Sequence, residues 1–523
     1  VVSDQHTPEA QHRSVERAAG SPLAPSWLGI PHDVNELAPS VWPAAAERRG
    51  DGVVEIAGVA VTDLAASFGT PLYVVDEGTA RANAARISGA LNDAMTAIGS
   101  SASCYYAGKA FLSADVVRWM LEAGLGIDVC SGGELALALA AGAPPERIGF
   151  HGNNKSQTEI ARAVAAGVGT IVLDSLQEIE RVAAAAERAG ARQGVRLRIN
   201  SGVHAQTHDF LATAHEDQKF GLTLDAADDA VAAIRSHASL EFVGLHCHIG
   251  SQIFDAGGFS ESAHRLLAVH ARLLAGGPVP SLNLGGGFGI AYTAADRPAA
   301  IETIAAQIAE TVAATCKELG IPVPALAFEP GRSIIGPAGV TLYTVGTTKD
   351  VTVDVGVDPD LGSGAGAEGA RDGAAAAATA GDDSAADGEA AAGRSAGTSA
   401  VRRYVSVDGG MSDNARPSLY GADYTVRVVD RTSSAGPQLV RLAGKHCESG
   451  DIVVNADYLP ADVAPGDLVA VPATGAYCFS LASNYNFLSR PPVVAVRDGC
   501  ARILVRGDTE DQLLARDAGL DGR

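Results

Sequence analysis

A lysine, Lys109, closes the apolar run in YYAGKAF. An amine drawn out of water at such a place loses some of its preference for the charged form and suits Schiff-base chemistry; the plain alternative is a lysine paired with a carboxylate. NLGGGFG sets three glycines in a row, Gly285, Gly286 and Gly287. Without side chains, their N–H groups can approach a phosphate, although a tight turn explains them equally well. EPGRSI supplies Glu329, Pro330, Gly331 and Arg332. The guanidinium suits a bidentate grip on phosphate or carboxylate, and the glutamate could hold a proton on a ring nitrogen or simply pair with Arg332. GLHCHIGSQ places His246 and His248 two apart, on one side of a strand. No third and fourth ligand at suitable spacing follows them, so a metal is not expected. A histidine stacked on a flat cofactor, with Ser251 reaching its phosphate, fits the same residues. In the C-terminal half, MSDNARPSLYGA carries Arg416 and Tyr420, GKHCESGD carries Cys447 and Glu448, and TGAYCFS carries Tyr477. By composition alone these are loop residues; their force lies in combination.

The elements that must position them are legible. Strand-like runs fall at roughly 103–109, 126–131, 148–153, 170–175, 194–200, 241–249, 281–285 and 326–330, with amphipathic helical patterns such as SADVVRWMLEAG and SLQEIERVAAAAERAG between them. Eight such β/α units predict a closed parallel TIM barrel over about 81–340, with chemistry gathered at the strand C-termini. Lys109, Asp174, His248, the glycines and Glu329 all fall there. By this count the glycine loop follows strand seven, a place where barrels often bind phosphate. From about 341 to 523 the pattern changes to strands and turns, which predicts a mostly antiparallel β domain, a sandwich or barrel. Residues 31–80 form a segment expected to join that domain, and residues 1–30, polar and without periodicity, are expected to be disordered.

One stretch interrupts the β domain at about 355–400. Residues 361–400 hold 16 alanines, 9 glycines and no aromatic. Too little apolar surface is available there to offset the ordering entropy, so a disordered insertion is expected. The chain of 523 residues carries a formal charge of −22, which argues against nucleic acid or an anionic membrane as a partner. The insertion accounts for about a third of that charge, so the figure says little about the site. No apolar run is long enough to span a bilayer. Seven scattered cysteines without a C-x-x-C pair read as reduced thiols in a cytoplasmic protein.

YAGKAF, DVCSGGEL, HGNNKS, HEDQKFG, GLHCHIGSQ, LGGGFG, EPGRSI, DGGMSDNARPSLYGA, GKHCESGD and TGAYCFS, in this order, resemble the diaminopimelate decarboxylases in their actinobacterial form. The resemblance runs from about Asn35 to Val505. It implies the alanine racemase-like fold-type III architecture, a barrel plus a β domain, acting as a homodimer with shared active sites. It further implies pyridoxal 5′-phosphate as cofactor and meso-diaminopimelate as substrate, converted to L-lysine and CO₂. Lys109 would bind the cofactor and His248 would stack on its ring. Ser251, Gly285 to Gly287, the Glu329-Pro330-Gly331-Arg332 turn and Tyr477 would surround it, with Glu329 on the pyridine nitrogen. Arg332, Arg416, Tyr420, Glu448 and Tyr477 would hold substrate. Cys447 would donate the final proton, arriving with Glu448 from the partner subunit.

Three other functions compete. A decarboxylase of ornithine or arginine would share the fold, but its substrate lacks the distal carboxylate that Arg416 suits. A metal hydrolase using His246 and His248 would leave Lys109 and the glycine loop unexplained. A catalytically silent binding relative should have lost Lys109 or Cys447, and both are present.

Overall fold

Eight parallel strands close into a ring in chain order: Ala102–Ala107, Gly126–Val129, Ile148–Phe150, Thr170–Leu173, Gln193–Asn200, Leu240–His246, Ser281–Asn283 and Ala325–Phe328, the last pairing with the first. In this computed structural model residues 21–203, 219–355 and 399–520 are described. The strands coincide with the eight apolar runs. Gly126–Val129, Ile148–Phe150 and Thr170–Leu173 are buried throughout. Helices cover the outside and neighbouring strands fill the inside, so these strands read as continuous apolar runs without alternation. Each fully buried Val, Leu or Ile side chain contributes roughly 1.5–3 kcal/mol.

The turn after a strand doubles as the start of a helix. Ser131, Ser156 and Ser175 each accept the backbone N–H three residues on, satisfying amides that a helix start leaves unpaired. Gly167, Gly190 and Gly320, all left-handed, close helices at the other end. The sixth strand carries a bulge between Phe242 and Gly244. Gly244 has φ +140°, and a Cβ there would sit 1.9 Å from the Ser281 carbonyl oxygen, so only glycine lets strands six and seven meet.

The second unit is built around Leu72–Asp76, antiparallel to Gly339–Asp354 and parallel to Val493–Arg497. Segment 31–80 thus supplies an inner strand to the C-terminal sheet. Most pairings are antiparallel, as expected, but Ser399–Val407 also pairs in parallel with Pro437–Ala443. Parallel neighbours need long crossovers; here residues 408–436 supply one, and the barrel itself the other. Asp354 faces Ser399 across a hairpin, so the Ala/Gly-rich stretch departs from a hairpin tip. Residues 356–398, and with them nearly all of the stretch expected to be disordered, lie outside the described residues.

The N-terminal extension differs from expectation over 21–30. Leu23 is buried against Leu439, Ala456 and Tyr458, which gives this stretch an apolar anchor on the sheet. Residues 1–20 lie outside the described ones. Glu77, buried at the start of helix Glu77–Ala97, receives Arg81, Arg497 and Arg502 and so ties the barrel's first helix to the C-terminal strands.

Candidate active site

The first barrel strand ends at Ala107, and Lys109 sits in the tight turn Gly108–Ala110 beyond it. The β domain fixes that turn: the Ala110 carbonyl accepts the Tyr477 N–H at 2.9 Å and the Ser480 hydroxyl at 3.1 Å. Phe111 meets Phe479 edge to face at 5.5 Å. Lys109 itself is exposed, not desolvated as its apolar strand suggested. The turn lifts it past the last buried layer to the mouth of the barrel. Close by, His248 lies beside Gly285, where a Cβ would stand 3.1 Å from its Nδ1. Burial first, and then the Lys109 ammonium, push the His248 imidazole well below its ordinary range.

Glu329 ends the eighth strand with its two carboxylate oxygens in different roles. Oε1 accepts the Asn283 amide at 2.7 Å and lies 3.0 Å from His246 Nε2 and 3.5 Å from His151 Nε2. No hydrogen bond to Oε2 is found among the described residues. Asn283 also accepts the Gly285 N–H at 2.8 Å, which couples the acid to the glycine loop. Burial alone would raise the Glu329 carboxyl, but His151, His246 and His248 together hold it well below the usual range. His246 is pushed down to about 4, mainly by burial.

His151, His246 and Glu329 bring ligand-type atoms within 4.8 Å of one another. The histidine pair weighed for a metal was His246 with His248, and His248 is outside this group. An amide N–H from Asn283 also reaches Oε1, so that oxygen is shared among three side chains. Asp174, at the end of the fourth strand, stands 3.9 Å from Arg198.

On the other side of the mouth, the glycines allow very close approach. A Cβ at Gly286 would lie 2.0 Å from the Glu329 carbonyl oxygen, and one at Gly287 would lie 2.5 Å from that of Gly250. Arg332 donates to the Ser251 hydroxyl at 2.9 Å and to the Tyr292 hydroxyl, and stacks 4.6 Å over the Tyr477 ring. Pro330 accepts the Ala107 N–H at 3.2 Å, and Gly331 packs against Ala107. Against Tyr292 lies Arg416, its guanidinium 4.3 Å over the Tyr292 ring and donating to Tyr424. Arg416 is only 6% exposed and has no carboxylate partner among the described residues. Burial opposes its charge, yet the Tyr424 and Tyr292 rings and hydroxyls raise its pKa.

The remaining expected residues stand apart. Tyr420 ends the short helix Arg416–Tyr420 and is 67% exposed. Cys447 and Glu448 are exposed on a loop whose base is held by hydrogen bonds. His446 donates its N–H to Asp451 at 2.7 Å, and its ring nitrogens meet Ser412 at 2.8 Å and Asn486 at 2.9 Å. Neither Cys447 nor Glu448 hydrogen-bonds to the barrel residues named above.

These residues fit a pyridoxal phosphate ring and its anionic tail. A free amine, an acid with one oxygen left over and an anion cradle of glycines, Ser251 and Arg332 converge on one mouth, with His248 beside the glycine loop. Sequence reasoning missed Asn283, Tyr292, Tyr424, His151, Asp128 and His446. His151 and Asn283 had a signal, since each is a polar residue at the end of a barrel strand inside a quoted motif. Tyr292 and Tyr424 had none.

The chain is similar to known proteins over most of its length. The pyridoxal-binding domain of pyridoxal-dependent decarboxylases matches residues 84–336, and their C-terminal sheet domain matches 378–475. Diaminopimelate decarboxylase of Mycobacterium tuberculosis strain H37Rv is 47% identical, covering 92% of this chain and 99% of its own. That of Bacillus subtilis is 38% identical over 89% of this chain and 95% of its own. The crystal structure of diaminopimelate decarboxylase from M. jannaschii with L-lysine is similar at a TM-score of 0.76 and 29% identity, covering 91% of this chain and 98% of that one.

Proposed function

The chain belongs to the diaminopimelate decarboxylase family, and from that premise we propose how its residues share the work. The enzyme removes CO₂ from meso-2,6-diaminopimelate and releases L-lysine, the last step of lysine biosynthesis, with pyridoxal 5′-phosphate as cofactor. When bound, that cofactor supplies the electron sink for the pair left behind by CO₂. Lys109 would anchor it through its exposed amine. Glu329, through Oε2, would favour a protonated ring nitrogen, and His248 would lie against the ring. The Gly285–Gly287 loop, Ser251, Pro330, Gly331, Arg332 and Tyr477 would hold the phosphate end.

The observation that carries the substrate reading is Arg416. A buried guanidinium with no counter-anion is costly unless a ligand supplies one. The distal carboxylate of diaminopimelate does so, with Arg332, Tyr420 and Tyr477 completing its surroundings and Glu448 taking the distal ammonium. Ornithine and arginine bring no such carboxylate. Cys447 then delivers a proton to Cα, closing the reaction as a positioned acid.

Cys447 and Glu448 act from the partner in a homodimer. Supporting this, exposed Leu419 (61%) and Phe487 (65%) surround their loop together with Tyr420 and Tyr485. Tyr485 stacks on His446, and Ser418 bonds the Gly450 carbonyl, so the patch is continuous with that loop. We place the enzyme in the cytoplasm: all seven cysteines are free, and among the described residues no helix is long and apolar enough to cross a membrane. The test is CO₂ and lysine release from meso-diaminopimelate beside ornithine and arginine. Turnover of diaminopimelate alone is expected; turnover of ornithine or arginine in its place would refute the role of Arg416.

A further inference from the structure

The FHGNNKS segment carries chemistry that the reaction, as described, does not use. It follows the third barrel strand, and its turn is pinned at both ends. The His151 N–H donates to the Val129 carbonyl at 2.8 Å. Lys155, buried, donates to the Gly152 and Val172 carbonyls at 2.7 and 2.6 Å and to Glu178 at 2.8 Å. Three donors with three acceptors leave this lysine no further partner to seek, so it is structural. What the pinned turn presents is His151.

The His151 side chain is 13% exposed, and its Nε2 stands 3.2 Å from Asp128 Oδ1 and 3.5 Å from Glu329 Oε1. Its ring meets His246 edge to face at 5.1 Å. Gly149 makes this possible, because a Cβ there would fall 2.2 Å from Asp128 Oδ1. The groups facing His151 are therefore Asp128 from the second strand, Glu329 from the eighth, His246 from the sixth and Arg198 from the fifth. Of the three groups gathered at Glu329 Oε1, Asn283 is a neutral amide and His246 is held neutral near pH 7 by burial. Burial works against charge on His151 as well, but Glu329 and Asp128 outweigh it and raise its pKa.

We propose that His151 is a positioning residue for the cofactor's ring nitrogen: braced by Asp128, it holds Glu329 by Oε1, so that Oε2 stays turned to the ring and the carboxylate stays charged. The chain of contacts runs from the second strand through the third to the eighth, and it acts only through Glu329. His151 touches no reacting atom. This rests on the reading that Glu329 meets the ring nitrogen, and the experiment separates the two.

The measurement is the dissociation constant of pyridoxal phosphate and the pH dependence of its bound visible absorbance, for the wild type and for His151→Gln, His151→Phe, Asp128→Asn and Glu329→Gln. His151→Phe is expected to weaken cofactor binding about tenfold, the effect of losing one polar contact to a charged group. It is also expected to displace the pH profile of the absorbance. His151→Gln keeps a donor and loses the charge, so it should restore the affinity and leave the profile displaced. Asp128→Asn should displace it in the same sense. Wild-type affinity and profile in both His151 variants would overturn the proposal. Should His151→Phe fail to fold, the profile of His151→Gln decides alone. A Glu329→Gln protein with wild-type affinity and spectrum would bring down the ring-nitrogen reading and this proposal together. Disturbed Glu329→Gln beside silent His151 variants would bring down only the proposal.

Discussion

The barrel mouth and the β-domain loops hold the two halves of the proposed site, and they are finished to different degrees. In the barrel, the Glu329 side chain is only 10% exposed and is cross-braced from three other strands, and the glycine loop has no room for a side chain. In the β domain, Arg416 is packed, but Tyr420 is exposed, and so are Cys447 and Glu448 on a loop held at its base by hydrogen bonds. On the proposed reading, the cofactor half is complete in one chain and the substrate half awaits a second. Close packing at the proposed cofactor site and exposed reactive groups at the proposed dimer face would then follow from one division of labour.

That contrast can be broken at either end. The largest expected effect is that of Lys109→Ala, which should abolish both turnover and the visible absorbance of bound cofactor; retained absorbance would overturn its role. Cys447→Ala should keep cofactor bound, by absorbance, while kcat falls roughly a hundredfold or more. A wild-type rate would remove Cys447 from the chemistry. Arg416→Met should raise KM for diaminopimelate about a hundredfold, as expected for stripping one partner from a buried ionic contact, with cofactor affinity unchanged.

A smaller effect concerns pH. His246 has a folded-state pKa of about 4, below its ordinary value of 6.5. Between those values the unfolded chain binds more protons, so stability present above pH 6.5 is lost as pH falls toward 4. His246→Gln should flatten that loss in urea midpoints measured from pH 7 to 4.5; an unchanged slope would contradict it. The smallest effect is expected for replacing residues 356–398 by a short turn between Asp354 and Ser399, which already face each other. Activity and dimer mass should stay the same, and loss of either would give the insertion a role.

Much of this was legible because it is local. The first four barrel strands are apolar runs that lead into Ser helix caps, and Lys109, Glu329 and the glycines sit close to strand ends. What escaped depends on convergence. Tyr292 links Arg332 to Arg416 from two domains, and His151 joins Asp128 to Glu329 across strands far apart in sequence. The exposure of Lys109 depends on what lies over the mouth, which the strand leading to it does not reveal. Tyr420 lies one helical turn past buried Arg416 yet is 67% exposed, at the last position before the helix ends at Gly421.

The most direct measurement mixes Lys109→Ala and Cys447→Ala subunits, each inactive or nearly so alone. Shared sites predict that random reassociation restores about a quarter of wild-type activity, because half the dimers then hold one intact site of two. Activity that stays at the level of the separate variants, in dimers shown to have exchanged, would mean that each chain completes its own site.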